Sequence, residues 1–416
     1  MLALAGCFAL AWLGLSGFAW TDYEVEVLPS LEALVHGHVA EFLRLAPAYG
    51  GSLIERAPFA FLPGLWGGGA LSVYRSLAVP CLLATAALGV WLVAGMRARG
   101  ASRLARAVAL GICVANPMTL KALEIGHPED ALGGVLCIAA VLLACHAGDR
   151  PRHALLAGAL VGLAAANKEW ALLALGPLLL ALPPRRRALG LSGCVLAAGL
   201  VLAPLLLVSK GGFATSAKAA ASTTSAIFQP WQVWWFMGHH GAAVHGLFGD
   251  LKPGYRTAPS WVGPISHPAV LVFGVALTAT LWPRARRVAL SEGNALLALA
   301  LALLGRCLLD TWDTSYYIVP FLFTLLAWEI RRPPGAAEAP SPPLLALACT
   351  ALSWLSFAWI PEHWSADAQA TSFLIWTIPL AVGLAVRLYA PPTRRRARRR
   401  SQETTVRALD SLVSTS

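Results

Sequence analysis

The sequence predicts an all-α polytopic membrane protein, and three observations predict it. Hydrophobic residues make up 57 % of the 416, whereas Asp, Glu, Lys and Arg together make up only 13 %, about half the share found in soluble globular proteins. The mean hydropathy of +0.64 comes from many apolar stretches separated by short polar ones, so most of the chain sits in lipid. The arginines gather in clusters between particular stretches, as positive charge that resists translocation does. Most soluble enzymes are thereby excluded. The eight cysteines all fall inside or at the ends of apolar stretches and offer no disulfide framework.

Twelve apolar segments follow in order, at about 1–20, 71–95, 104–120, 131–146, 154–166, 170–182, 188–208, 267–282, 288–309, 316–330, 344–360 and 371–389. With both termini in the cytoplasm, 22 of the 32 Lys and Arg lie inside, including every arginine cluster, and 15 of the 21 acids lie outside. The basic balance therefore speaks of anionic lipid, not nucleic acid. The region 154–182 is the ambiguous one, because Asn167-Lys168-Glu169 could interrupt a single long helix. Reading it as one would export the later arginine clusters, so two short helices are expected, with a polar break at membrane depth. The first segment has a signal peptide's length without its basic start or cleavage site, and is read as a retained helix. Residues 1–390 form the transmembrane domain. Residues 331–343 are a Pro-rich inner linker, and 391–416 a basic cytoplasmic tail.

Two long loops, 21–70 and 209–266, lie outside, where the function is expected. The first opens on Asp22, Glu24 and Glu26, and then repeats Leu28, Leu31, Val35, Val39 and Phe42 at helical spacing, an amphipathic helix expected to lie on the membrane surface. Pro47–Ser52 reads as a turn, and Arg56–Pro63 as a segment dipping back toward the bilayer.

The short outer connections are polar at membrane depth. They contain Lys121, Glu124, His127, Glu129 and Asp130, then Asn167-Lys168-Glu169, then Asp310, Asp313, Tyr316 and Tyr317. Ionisable groups there are expensive unless they line a cavity, so together they point to one wet site opening outward. Taken singly, each also fits a bland role: Asp130 as a helix cap, Lys168 as a partner of Glu169. The second long loop carries Trp231, Trp234 and Trp235, suited to an interfacial belt. His239, His240 and His245 have the look of a weak metal cluster without a paired carboxylate motif.

The chain resembles the GT-C superfamily of membrane glycosyltransferases that use polyprenyl-phosphate sugars, especially actinobacterial polyprenol-phosphate-mannose-dependent mannosyltransferases. The resemblance covers roughly residues 1–330. It is carried by the Asp after the first helix with its amphipathic segment and Tyr49-Gly50-Gly51, by Gly126-His-Pro-Glu-Asp130, by Asn167-Lys168-Glu169 and by the Trp-rich loop with His240. It implies a GT-C-like bundle of about 12 transmembrane helices in the plasma membrane. It also implies transfer of a sugar, mannose favoured, from a polyprenyl-phosphate donor to a glycolipid or glycan acceptor on the outer face. By resemblance Asp22 is the general base, with Glu24 and Glu26 as alternates, and Lys168 holds the donor phosphate. Glu24 and Glu26 have no counterpart in the family pattern.

The chemistry is consistent with that implication. Deprotonating an acceptor hydroxyl needs a carboxylate or His, here Asp22 or His240, and the departing phosphate needs cations, for which Lys168, Arg256 and Lys218 are available. Glu24, His127, Glu129, Asp130 and Asp313 would line the site. No cofactor or metal site is assigned, and assistance by a divalent metal stays open. The competing reading is a transporter or flippase of lipid-linked intermediates, which would show internal symmetry and matched broken helices. No internal repeat is visible.

Overall fold

The computed structural model describes residues 1–15, 22–148, 150–209, 227–241, 244–245, 251–331 and 341–390. Among the described residues, each of the twelve apolar segments overlaps helix. These helices are α1 (Leu2–Leu15), α5 (Ala70–Ala98), α6 (Arg103–Val114) running into α7 (Pro117–Ile125), α8 (Glu129–Cys145), α9 (Pro151–Asn167) and α10 (Leu175–Ala181). They continue with α11 (Arg187–Val208), α12 (Val262–Ala285), α13 (Glu292–Leu309), α14 (Val319–Arg331), α15 (Leu344–Trp354) leading to α16 (Ile360–His363), and α17 (Ala366–Tyr389). Seven stretches, 70–98, 103–125, 184–208, 262–285, 292–309, 344–363 and 366–389, are long and apolar enough to cross a membrane. The described residues contain no strand, only isolated bridges.

Burial divides the bundle. Every residue from Ala295 to Leu308 of α13 is buried, and α14 is buried from Val319 to Trp328. Around this centre, α11, α12 and α17 turn Leu200, Leu207, Val275 and Ile375 outward at 69–80 % exposure, which suits helices whose outer faces meet lipid. The tightest crossing joins α9 to α11. A Cβ on Gly158 would lie 1.8 Å from the Gly190 carbonyl oxygen, and one on Gly193 2.1 Å from that of Leu155. Small residues let the two backbones touch, as is common where lipid tails leave no hydrophobic drive between helices.

Three boundaries differ from expectation. The third apolar segment continues to Ile125, because Asn116 caps a new helix, its Oδ1 accepting from Met118 N at 2.9 Å, and Pro117 occupies the first position where a missing N–H costs nothing. Lys121 and Glu124 therefore pair across one helical turn and do not lie in a loop. The amphipathic stretch of the first loop is two helices, α2 (Leu28–Val35) and α3 (Val39–Leu45), divided at Gly37, whose φ is +82°. Their apolar faces do not rest on a membrane surface: Leu31, Leu34 and Phe42 are buried against Leu53, Leu77 and Leu205, while Val39 is exposed. Protein packing satisfies the hydrophobic face first. The expected turn 47–52 ends early, as Gly50 opens α4 (Gly50–Ala60).

The break in 154–182 falls where two helices require it. α9 stops at Asn167, Lys168 is extended (φ −154°, ψ 136°), and a 3₁₀ turn, Glu169–Ala174, leads into α10. The cysteines are free thiols. The Trp20 and Thr21 flank of Asp22, Lys218, most of the 331–343 linker and the tail 391–416 lie outside the described residues.

Candidate functional site

Five parts of the chain bring ionisable groups to one end of the bundle. The turn from α7 to α8 supplies His127, Glu129 and Asp130. It is set by Gly126, which closes α7 at φ +103° while His127 N bonds Ala122 O. A Cβ at Gly126 would stand 3.2 Å from Tyr23, so the glycine also lets the start of the first loop lie against the turn. Glycine has a second use at Gly51, where a Cβ would come within 2.1 Å of the Ala166 carbonyl oxygen. That approach sets α4, with Arg56, beside the end of α9.

His127 sits at the centre. Its Nε2 lies 3.1 Å from Asp22 Oδ2 and its Nδ1 2.7 Å from Glu129 Oε1. Two carboxylates on the two ring nitrogens require both nitrogens to donate, hence an imidazolium. Burial and the Lys168 ammonium push the pKa of His127 down, but Glu129 and the hydrogen bonds to Asp22 and Glu129 outweigh them and raise it to about 9.

Lys168 Nζ donates to Asp130 Oδ2 at 2.6 Å and lies 3.2 Å from Glu129 Oε1. Arg56 Nη2 lies 3.3 Å from Glu129 Oε2 and donates to Ser52 Oγ at 2.6 Å. Arg306, near the end of α13, is 3.6 Å from Asp130 Oδ1 and stacks on Tyr317 at 3.8 Å. Asn167 Nδ2 donates to Glu129 O at 2.9 Å. Thus four cationic side chains surround two fully buried carboxylates. Tyr316 covers both His127 (ring centroids 4.3 Å apart) and the Lys168 ammonium (4.6 Å), and Tyr49, which donates to Glu26 Oε2 at 2.6 Å, closes the other side.

The exposures give the cluster a direction. The side chains of Glu129, Asp130, Arg56 and Arg306 are 0–4 % exposed and that of Lys168 9 %, whereas Asp22 is 20 % exposed. Asp22 therefore combines a fixed orientation, through Oδ2 and His127, with partial exposure. His127, Glu129 and Asp130 are also the one group among the described residues with metal-ligand geometry. Lys168 Nζ already lies within 3.2 Å of an atom of each, and fills the cation position they share.

Several bland readings are replaced. Lys168 pairs with Asp130 and Glu129 and not with exposed Glu169. Asp130 lies in the first turn of α8 without capping it. Glu24 is exposed. Asp313 is buried in the α13–α14 connection, where burial pushes its pKa well up against the pull of Arg306. His240 and Arg256 form a different cluster. Arg256 grips Asp367 through Nε and Nη2 at 2.7 and 2.8 Å, and the same carboxylate receives Trp235 Nε1 at 2.8 Å and lies 3.2 Å from His240 Nε2. This latch ties the second long loop to α17, and His239 and His245 take separate backbone bridges.

The sequence reading missed Arg56, Arg306, Tyr49 and Asn167 as site residues. An arginine inside Leu303-Leu-Gly-Arg-Cys-Leu-Leu309 is a signal in itself, since such a charge in an apolar helix needs a partner. No protein-family model matches the chain, and no curated protein matches it, so the site must be read from its own geometry.

Proposed function

We propose that this is a membrane glycosyltransferase that moves a sugar, mannose favoured, from a polyprenyl-phosphate donor to a hydroxyl of a glycolipid or glycan on the outer face of the plasma membrane. The bundle of about twelve crossings belongs to the same proposal, as does the GT-C-like arrangement. The observation that carries it is Asp22, held through Oδ2 at 3.1 Å by His127, with a side chain 20 % exposed beside the almost fully buried Glu129, Asp130, Lys168, Arg56 and Arg306.

In this reaction Asp22 Oδ1 takes the proton of the acceptor hydroxyl. The acceptor oxygen attacks the anomeric carbon, and the bond from that carbon to the phosphate oxygen breaks with the electron pair leaving on the phosphate. His127 orients the base. The cations Lys168, Arg56, Arg306 and His127 attract the anionic donor and stabilise the leaving phosphate. Lys168 acts within that charge, its ammonium already held by two carboxylates. Arg256, engaged by Asp367, and His240 belong to the neighbouring latch, which positions the second loop.

Purified protein incubated with a panel of polyprenyl-phosphate sugars tests the reading. Transfer from at least one, lost in Asp22→Asn at wild-type expression, supports it. Donor-independent movement of lipid-linked intermediates across vesicles, without sugar transfer, would replace it with the transporter reading.

A further inference from the structure

The first outer loop ends on an apolar tip. From Ala57 to Tyr74 the chain carries no Asp, Glu, Lys, Arg, His, Asn or Gln, although the same loop turns Glu24, Glu26, His36 and Glu41 outward. Arg56 and Ala60 are buried, so the part that leaves the protein begins at Phe61. Over the six residues Phe61–Trp66 the large side chains stay unpacked: Phe61 is 50 % exposed, Leu65 81 % and Trp66 62 %. Such a run of exposed apolar groups marks a contact with something other than water.

The height of the tip is set at both ends. Ala60, just before it, is buried in one cluster with Val73 and Leu77 of α5 and Leu205 in the last turn of α11. Just after it, Gly67–Gly69 lead into Ala70, the first residue of α5. The 29 residues of α5 measure about 43 Å, which matches a bilayer with both of its head-group regions. Val73 and Leu77 then lie about 4 and 10 Å below its outer end, on either side of the boundary between head groups and hydrocarbon. The tip leaves the protein at that boundary.

Its backbone is equally suited to lipid. The N–H groups of Gly64, Trp66 and Gly68 donate to the carbonyls of Phe61, Pro63 and again Pro63 at 3.2, 3.1 and 3.0 Å, and Pro63 has no N–H to satisfy. A loop in water can leave such groups to the solvent, whereas a segment in lipid must satisfy them internally.

We propose that Phe61–Trp66 is inserted into the outer leaflet as a non-spanning anchor, with Leu65 among the acyl chains and Trp66 at head-group level. Lipid is the occupant because the tip runs on into α5, a helix long and apolar enough to span, which itself leaves Leu83 and Trp91 exposed. Tyr23, next in the chain to Asp22, donates its hydroxyl to Ala70 O at 3.3 Å. An anchor that fixes the start of α5 therefore also fixes the height of the Asp22 segment above the membrane. This interaction requires no sugar transfer and stands apart from the function proposed above.

A nitroxide on Leu65→Cys, in the full-length protein with the exposed Cys7 changed to Ser, tests it in phosphatidylcholine vesicles. The side chain at 65 is mostly exposed, so the substitution leaves the packing untouched. Collisions with oxygen, which concentrates in hydrocarbon, are compared with collisions with a water-soluble nickel chelate, and a label on Glu24→Cys is the aqueous control. The oxygen-to-nickel ratio should be several times higher at 65 than at 24, with a label on Trp66→Cys between them. A ratio at 65 no higher than at 24 places the tip in water and overturns the anchor. Shielding of the 65 label from both reagents, with broadening between labels, makes the occupant a second copy of the chain and overturns lipid. Leu65→Asp combined with Trp66→Ser should make the Glu24 label more mobile in vesicles and leave it unchanged in detergent. An unchanged spectrum in vesicles overturns the link to the Asp22 segment.

Discussion

Lys168 turns away from its sequence neighbour Glu169 and reaches Asp130, 38 residues back in the chain, at 2.6 Å. That pairing makes it a buried counter-ion as well as a site residue. Its loss therefore acts on the fold as well as on any donor phosphate. Removing one partner of a buried pair costs about 3–5 kcal/mol, because the other charge is stranded. Lys168→Met should therefore lower the thermal midpoint in detergent markedly, and adding Asp130→Leu should restore part of it. A single variant as stable as wild type would show that the ammonium is not buried on Asp130.

Asp22→Asn should cost about a hundred- to ten-thousand-fold in sugar transfer, the range for loss of a general base, with expression and thermal midpoint nearly intact because the group lies at the open edge. Glu26→Gln should be mild, since Glu26 is exposed and holds only Tyr49. Initial rates of both variants against the best donor decide the matter. Near-normal turnover in Asp22→Asn would remove the base from this position.

His127 supplies a pH dependence of definite sign. Its pKa rises from the ordinary 6.5 to about 9 in the folded protein, so the stability it contributes is fully present below about pH 6.5 and is lost as pH rises through 9. Thermal midpoints between pH 6 and 10 should fall along that window in the wild type. In His127→Gln they should start lower and show less of the fall. Parallel curves would contradict an imidazolium at the centre of the cluster.

Glu55 behaves alike for a different reason. Burial outweighs the nearby Arg56 and raises its pKa to about 8, so it destabilises the fold increasingly as pH climbs from the unfolded value of 4.5 through 8. Glu55→Gln should raise the thermal midpoint at pH 8.5 and leave it unchanged at pH 4.5.

Single cysteines in a cysteine-free background test the topology. Those at Ser222 and Ala366 should react with an impermeant maleimide from outside, and one at Ala336 should not. Reaction at Ala336 alone would invert the arrangement in which most arginines face the cytoplasm.

The helices were legible because apolar run length carries them directly, and the break at Lys168 was legible from charge counting. His127, Glu129, Asp130 and Lys168 stood out as polar groups at membrane depth, and they do meet. What remained hidden was pairing. Nothing in spacing tells Arg56 that its carboxylate is 73 residues away, or that Arg256 and His240 are drawn to Asp367 on α17, because these contacts are set by how helices pack. The first loop misled for the converse reason: an amphipathic face states that it will be buried, not by what.

The scattered origin of the cluster has a consequence for biogenesis. Glu129 and Asp130 leave the ribosome well before Lys168, and at 5–20 residues per second the delay is about 2–8 s; Arg306 follows much later. Through that interval Glu129 already has Arg56 and His127, but Asp130 lacks both Lys168 and Arg306, and an uncompensated carboxylate is a state that a lipid environment rejects. The nascent helix must be held at the aqueous rim or in a protein-lined conduit until the rest arrives. Chains truncated just before Lys168 should therefore remain associated with the insertion machinery, and chains extended past Arg306 should be released from it.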